Sequence, residues 1–251
     1  MTELNLKPDY GIDAPKVVRN LIVLGTILIL FGVLRPLYPH FLPEHAAKIL
    51  LGFAPSIQAS GYGLIFGAML MLWGSRVGKL QLRDRVLAAL HWHGDERVLD
   101  VGCGHGLMLI GAAKRLRTGK AIGIDLWSQV DQARNSSEAA LRNAQIEGVS
   151  HRVEVQTGDA CKLPFENASF DMVLSSWALH NIERREQRAQ ALAEIVRVLK
   201  PGGRAVIIDI RHAREYAQFF HERGLELISI SAPNFLFFIP TQTVIVSKSI
   251  R

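Results

Sequence analysis

From Ile49 to Ser75 the chain carries no charged residue, and a second uncharged run, Asn20 to Leu34, lies upstream of it. Segments of this kind belong in a protein interior or in a bilayer core. Counted from Val17 to Tyr38, the first is long enough to cross about 30 Å of hydrocarbon at 1.5 Å per residue, provided Arg19 and Arg35 snorkel outward. The second contains "GYGLIFGAMLMLWG", in which Gly63 and Gly67 form a GxxxG pair that lets another helix approach, and Trp73 stands where interfacial aromatics collect.

These features predict a membrane hairpin with helices over about 17–38 and 56–75. The alternative is a pair of buried core helices or one re-entrant segment, since the fifteen residues Asn20–Leu34 are short for a span. No small-residue cleavage site follows the first run, which disfavours a signal peptide. Lys7, Lys16 and Arg19 precede the first segment, and Arg76, Lys79, Arg83 and Arg85 follow the second; the linker offers Arg35 and Lys48. The positive-inside rule then predicts a multi-pass protein of the cell membrane with both termini and the C-terminal domain in the cytoplasm.

Composition narrows the remainder. Residues 1–90 hold nine Lys/Arg against five Asp/Glu, and residues 91–251 hold twenty against eighteen. The basic excess therefore sits beside the apolar segments, and the nearly neutral remainder lacks the basic footprint of a nucleic-acid binder. Cys103 and Cys161 have neither CxxC nor Cys/His spacing, so no metal site and no disulfide framework is expected.

After Arg76 the pattern becomes that of an α/β domain, giving an expected division into 1–76 and 77–251. "KLQLRDRVLAALHW" has the pattern of an amphipathic helix and "RVLDVG" that of a buried strand, followed by a helix "LMLIGAAKRLR" and a strand "AIGIDL". The strands "RVEVQTGD", "FDMVLSS" and "RAVIIDI" come next, the helix before the last of them stopped by Pro201-Gly202-Gly203. Such alternation predicts a mostly parallel sheet with ligands at the C-terminal ends of its strands.

The first strand runs into "DVGCGHG", with glycine at every second position from Gly102 to Gly106. Glycine there lets backbone approach a ligand where a Cβ would intervene. The third glycine comes one position too early for the dinucleotide fingerprint GxGxxG, and no Gly-Lys-Ser/Thr follows as in a Walker loop.

Taken in order, "DVGCGHG", "GIDL", "GDA", "FDMVLSS" and "LKPGGR" resemble the class I S-adenosylmethionine-dependent methyltransferases, in particular the type 11 group, over about Arg83 to Lys248. The resemblance implies an α/β fold, a Rossmann-like seven-stranded mostly parallel sheet with an antiparallel edge hairpin, and S-adenosyl-L-methionine as cofactor. It implies that Gly102, Gly104 and Gly106 pass under the methionine part, with Asp100 near its ammonium group. It further implies Asp125 on the ribose hydroxyls, Asp159 and Ala160 at the adenine, and Ser175 beneath the methionine end.

Methyl transfer from a sulfonium is an in-line displacement, so positioning supplies much of the acceleration and a base is needed only for some acceptors. "SSWALHN" places Trp177 and His180 just past the fourth strand, and "DIRH" places Asp209, Arg211 and His212 past the fifth. His180 is the candidate base or acceptor-orienting group. A membrane hairpin beside a neutral domain suggests a small or amphiphilic, lipid-like acceptor, and "APNFLFFIP", Ala232 to Pro240, suits lining such a site, resting on the bilayer, or closing the edge hairpin. Two other functions fit the pattern: a cofactor-binding membrane sensor or scaffold without catalysis, and a nicotinamide-dependent oxidoreductase. Gly63 and Gly67 permit helix-mediated self-association.

Overall fold

The computed structural model describes residues 7–128 and 135–250. Its N-terminal part is a helical hairpin. Helix α1 spans Pro15–Val33; a short helix α2, Tyr38–Phe41, turns the chain; and α3 runs over Glu44–Trp73. The second helix thus begins twelve residues before the expected 56, because Glu44 and Lys48 form an i,i+4 pair at 2.6 Å that lets charged residues open the helix. Pro55 lies inside this helix and does not end it.

The two helices pack through small residues spaced by seven. On α1 the buried positions are Val18, Gly25 and Gly32; on α3 they are Ala47, Ala54, Gly61 and Ala68. A Cβ on Gly61 would stand 2.7 Å from the Gly25 carbonyl oxygen, so the backbones meet where neither residue has a side chain. The expected GxxxG pair is not the seam: a Cβ built on Gly63 or Gly67 meets nothing within 4 Å. Both belong to a different face of α3.

Only 17% and 11% of the residues in the most apolar windows of the two long helices are buried. Val23, Ile27, Leu30, Phe53, Phe66 and Met69 all project outward. The helices are therefore not buried in a core of this chain; by length and composition each can cross a membrane.

No linker follows the hairpin. Helix α3 continues through a π-helical segment, Gly74–Gly78, into α4, Lys79–Ala88. The boundary expected at residue 76 falls inside this continuous helix.

The rest is a seven-stranded sheet in the order β3-β2-β1-β4-β5-β7-β6. The strands are β1 Arg97–Val101, β2 Lys120–Asp125, β3 Val153–Thr157, β4 Phe170–Ser176, β5 Leu199–Asp209, β6 Leu225–Ile230 and β7 Gln242–Lys248. Only β7 runs antiparallel to its neighbours, β5 and β6. Helices α4, α5 (Leu107–Ala113) and α6 (Ser137–Ile146) contribute to the core on one face, and α7 (Arg185–Val198) and α8 (Ala213–Glu222) to that on the other. Pro201-Gly202-Gly203, expected to separate helix from strand, lies within β5: Leu199 already pairs with Phe170, and the ladder resumes at Arg204 opposite Met172. The chain order reverses between β1 and β4, which places the ligand-binding crevice at their C-terminal ends.

Candidate active site

A cavity of about 620 Å³ opens at that switch point, within the size range of small-molecule sites. Gly102 and Gly104 form part of its floor, Asp125 closes the end of β2, Asp159 and Ala160 follow β3, and His180 follows β4; all six line it. The glycine loop is pinned to β2, because the amides of Gly102 and Cys103 both donate to the Ile124 carbonyl.

Gly102 sits at φ 73°, and a Cβ there would come within 2.2 Å of the Ala178 Cβ. The glycine is required twice, by backbone conformation and by the neighbouring β4 exit. Gly106 caps α5 at φ 85° and does not line the cavity.

The Asp125 carboxylate accepts three hydrogen bonds from the described residues. Gly104 N donates to Oδ2 at 2.9 Å, while Trp127 N (2.6 Å) and Asn135 Nδ2 (3.1 Å) donate to Oδ1. A carboxylate offers about four lone-pair sites. A ribose diol held by both oxygens therefore needs the carboxylate to release at least one of these donors.

Asp159 Oδ1 accepts the Cys161 amide at 2.8 Å, which shapes the turn at the cavity's edge. Asp100 and Ser175 lie behind the cavity wall. Both are buried and neither lines the cavity. Ser175 Oγ donates to the Val101 carbonyl at 2.9 Å and ties β4 to β1, while Ser176 faces the cavity. Asp100 Oδ2 accepts the Leu109 amide at 2.8 Å, and Oδ1 has no partner among the described residues. Burial pushes the Asp100 carboxyl up to about 7, against the lowering effect of the Leu109 amide and with a further raising contribution from Asp125.

His180 lines the cavity through a side chain held from behind. Its Nδ1 lies 2.5 Å from Asp209 Oδ1, and its backbone amide donates to Asp209 Oδ2 at 3.1 Å. Asp209, buried, also accepts from Tyr216 Oη at 3.0 Å and from the Ile210 amide at 2.8 Å. A carboxylate fixed by three donors thus stands beside the imidazole, although the Nδ1 contact lacks the alignment of a hydrogen bond. Asp209 is a positioning residue for His180.

Two cavity residues come from the segment before α1, Tyr10 and Asp13, and a third, Lys79, opens α4. Tyr10, Asp13 and Lys79 line one side. The Lys79 ammonium, buried, donates to the carbonyls of Tyr10 (2.7 Å) and Gly11 (2.8 Å) and to Asp13 Oδ2 (2.9 Å). Asp9 clamps the same segment to the domain: its amide donates to Asn143 Oδ1, and its carbonyl accepts from Asn143 Nδ2 at 2.8 Å and lies 3.0 Å from His105 Nδ1. A lysine placed just after an apolar run looks in sequence like one more flanking charge. Nothing in the sequence marks Lys79, Tyr10 or Asn135 as lining residues.

Residues 99–207 match a family described as a methyltransferase domain. The match spans β1 to β5 and leaves the hairpin outside it. It is 35% identical over 128 residues to the demethylmenaquinone methyltransferase of Lactiplantibacillus plantarum, covering 51% of this chain and 50% of that protein. It is 34% identical over 139 residues to the chloroplastic 2-phytyl-1,4-beta-naphthoquinone methyltransferase of Arabidopsis thaliana, covering 53% and 49%. The chain spans about half the length of these curated relatives.

Among solved structures, a SAM-dependent methyltransferase from Aquifex aeolicus superposes with TM-score 0.55 at 20% identity, over 68% of this chain and 92% of that one. The [4+2]-cyclase SpnF superposes with TM-score 0.56 at 20% identity, over 68% and 82%. That a cyclase shares the sheet shows that the fold alone does not dictate the reaction.

The residues present fit S-adenosyl-L-methionine. The loop at Gly102 has no room for a side chain, Asp125 ends β2 inside the cavity, and the buried Nε2 of the cavity-lining His105 lacks a partner among the described residues.

Proposed function

We propose that the protein is a membrane-anchored enzyme that transfers a methyl group from S-adenosyl-L-methionine to an amphiphilic aromatic acceptor, a quinol or phenol bearing an isoprenoid tail. The observation that carries this reading is the composition of the cavity wall: the base of an apolar hairpin, through Tyr10, Asp13 and Lys79, forms one side of a methyltransferase site. An acceptor dissolved in the bilayer then reaches the site without crossing water. The names of the two relatives, which refer to demethylmenaquinone and to a phytyl naphthoquinone, support the acceptor class.

When bound, the cofactor supplies an electrophilic methyl group on a sulfonium. The chain's own contribution is positional and basic. The strand ends hold the donor, Trp177 and His180 stand on the acceptor side past β4, and His180 Nε2 takes the proton that the acceptor's hydroxyl or ring carbon loses. Asp209, 2.5 Å from Nδ1, stabilises the resulting imidazolium.

The hairpin would span the bilayer with both ends on the cytoplasmic side. Lys7, Lys16, Arg19, Arg76 and Arg85 support this orientation. Lys79 and Arg83 do not count toward it, since both are buried against internal partners.

The test is incubation of the full chain in native membranes with methyl-labelled S-adenosylmethionine, followed by counting of lipid extract, protein and soluble fractions. Label in a quinone-class lipid is expected, and Asp125→Asn should reduce it together with cofactor affinity. Label confined to the soluble fraction would overturn the acceptor class. Cofactor binding without label in any fraction, in membranes supplied with a reduced prenyl quinone, would favour a non-catalytic sensor.

A further inference from the structure

We infer that the connection between β6 and β7, residues 231–241, is a membrane-inserting loop that seats the mouth of the cavity at the headgroup–acyl boundary of the bilayer. The inference rests on the membrane reading above and adds a second contact, made by the catalytic domain itself.

No charged residue occurs from Ser231 through Ser247. The loop nevertheless does not bury its large side chains: Phe235 is 63% exposed, and Phe238, Ile239 and the preceding Ile230 are also exposed. Contiguous exposed aromatic and aliphatic residues on a loop mark an interaction surface, and aromatic residues suit the membrane interface in particular.

The occupant follows from where the loop is fastened. A Cβ on Gly78 would lie 1.6 Å from the Leu236 carbonyl oxygen, and one on Gly74 would lie 3.0 Å from the Phe237 carbonyl. Loop backbone therefore lies directly on the π-helical segment where α3 leaves its apolar stretch. The same notional Gly78 Cβ lies 3.3 Å from the Trp73 ring, so the loop sits at the level of the last aromatic residue of the span. An apolar loop fixed at that level continues the hairpin's uncovered apolar surface, and a bilayer that receives one receives the other.

The loop also reaches the site. The Phe237 ring packs against Trp177 with centroids 4.5 Å apart, and Trp177 lines the cavity and donates Nε1–H to Thr241 Oγ1 at 3.3 Å. One loop thus touches the end of the span on one side and the acceptor wall of the cavity on the other.

The test uses the full chain in nanodiscs of phosphatidylcholine and phosphatidylglycerol, with Cys161→Ser and a nitroxide at Phe235→Cys. Collision with oxygen and with a water-soluble nickel chelate gives depth, and Phe53→Cys and Glu226→Cys serve as references on the hairpin and on the exposed face of β6. A label at 235 is expected about 5–10 Å below the phosphate level, as for an interfacial segment. If 53 lies in the hydrocarbon and 235 is as aqueous as 226, the loop inference fails while the membrane reading stands. An aqueous label at 53 sinks both.

A kinetic arm separates docking from folding. The pair Phe235→Ser and Phe238→Ser should lower kcat/KM for a bilayer-embedded acceptor on the order of tenfold, with cofactor affinity and activity on a short-tailed soluble acceptor unchanged. Equal losses on both acceptors would overturn the inference.

Discussion

The joint between the glycine loop and the segment after β4 can be tested by a double substitution. Gly102→Ala imposes two separate costs. At φ 73° an alanine adopts a left-handed conformation disfavoured by about 1–2 kcal/mol. Its Cβ also falls 2.2 Å from that of Ala178, well inside ordinary contact, and overpacking of this kind costs about 1–3 kcal/mol. Together these give roughly 2–5 kcal/mol, or a fall in melting temperature of roughly 4–20 °C for a domain of this size.

The two costs separate when the neighbour is trimmed. With Ala178→Gly present, the nearest remaining atom to the new Cβ is the Ala178 Cα at 3.7 Å, an ordinary contact. Alone, Ala178→Gly costs about 0.5–1 kcal/mol through backbone entropy. The double variant should therefore melt above Gly102→Ala although it carries two unfavourable changes, with a coupling of about 1–3 kcal/mol. Differential scanning fluorimetry of the four proteins in the same micelles, without cofactor, measures this. A double variant that melts at or below the Gly102→Ala single would show that the loop does not bear on Ala178.

Other perturbations test other parts. Gly61→Leu should splay the hairpin and lower its melting temperature, since any Cβ there strikes the Gly25 carbonyl, whereas Gly63→Leu should leave it unchanged; the reverse ranking would move the seam to the other face. Asp100, raised to about 7 from its ordinary value of 3.8, binds its proton more tightly folded than unfolded. The stability this confers is full below about pH 4 and is lost as pH rises toward 7, by up to about 4 kcal/mol. Wild type should therefore lose stability relative to Asp100→Asn across that window in cofactor-free melts, and a pH-independent difference would refute it. Asp209→Asn should lower kcat by about 10²–10⁴ with unchanged cofactor affinity and a shifted acidic limb of the pH profile, since a general base works only when deprotonated, and an unaltered profile would remove His180 from the proton path.

The sheet and much of the cavity were legible because their sequence signals are local. Alternate glycines after an apolar strand have few other uses, and Asp125, the last residue of β2, and Asp159, two residues past β3, stand in the ordered motifs that carry the resemblance. Asp100 and Ser175 show where such inference stops. Successive strand residues point to opposite faces, so a one-residue choice at the strand end decides between cavity and core; Ser176 faces the cavity and Ser175 does not. The start of α3 was hidden by the charges of its first turn, and the extent of β5 by a Pro-Gly-Gly that a bulge absorbs. Lys79 was illegible for a longer-range reason: its partners are 66–69 residues away, in a segment whose own sequence predicts nothing.

Those partners explain why the hairpin and the sheet domain form one object despite their different compositions. The chain enters α1 through Asp9–Asp13, which is bonded to the sheet domain at Asn143, at Glu147 through Tyr10 Oη (3.0 Å) and at Lys79, and it leaves α3 by a helix that continues without a break into the core. Asp13 N also donates to Ser75 Oγ at 3.1 Å, joining the start of one helix to the end of the other at the point where both meet the domain. With the β6–β7 loop resting on Gly74 and Gly78, the hairpin is attached on two sides of the cavity. Breaking a buried ion pair by removing one partner costs about 3–5 kcal/mol when both charges are fully buried, and less where one is partly solvated, as Asp13 is. Lys79→Met should therefore loosen the Asp9–Asp13 segment more than it unfolds the sheet. Hydrogen exchange is expected to accelerate at Gly11–Asp13 while the amides of β1 and β4 stay protected, and equal acceleration in both would mean that the lysine supports the domain as a whole and not its joint with the hairpin.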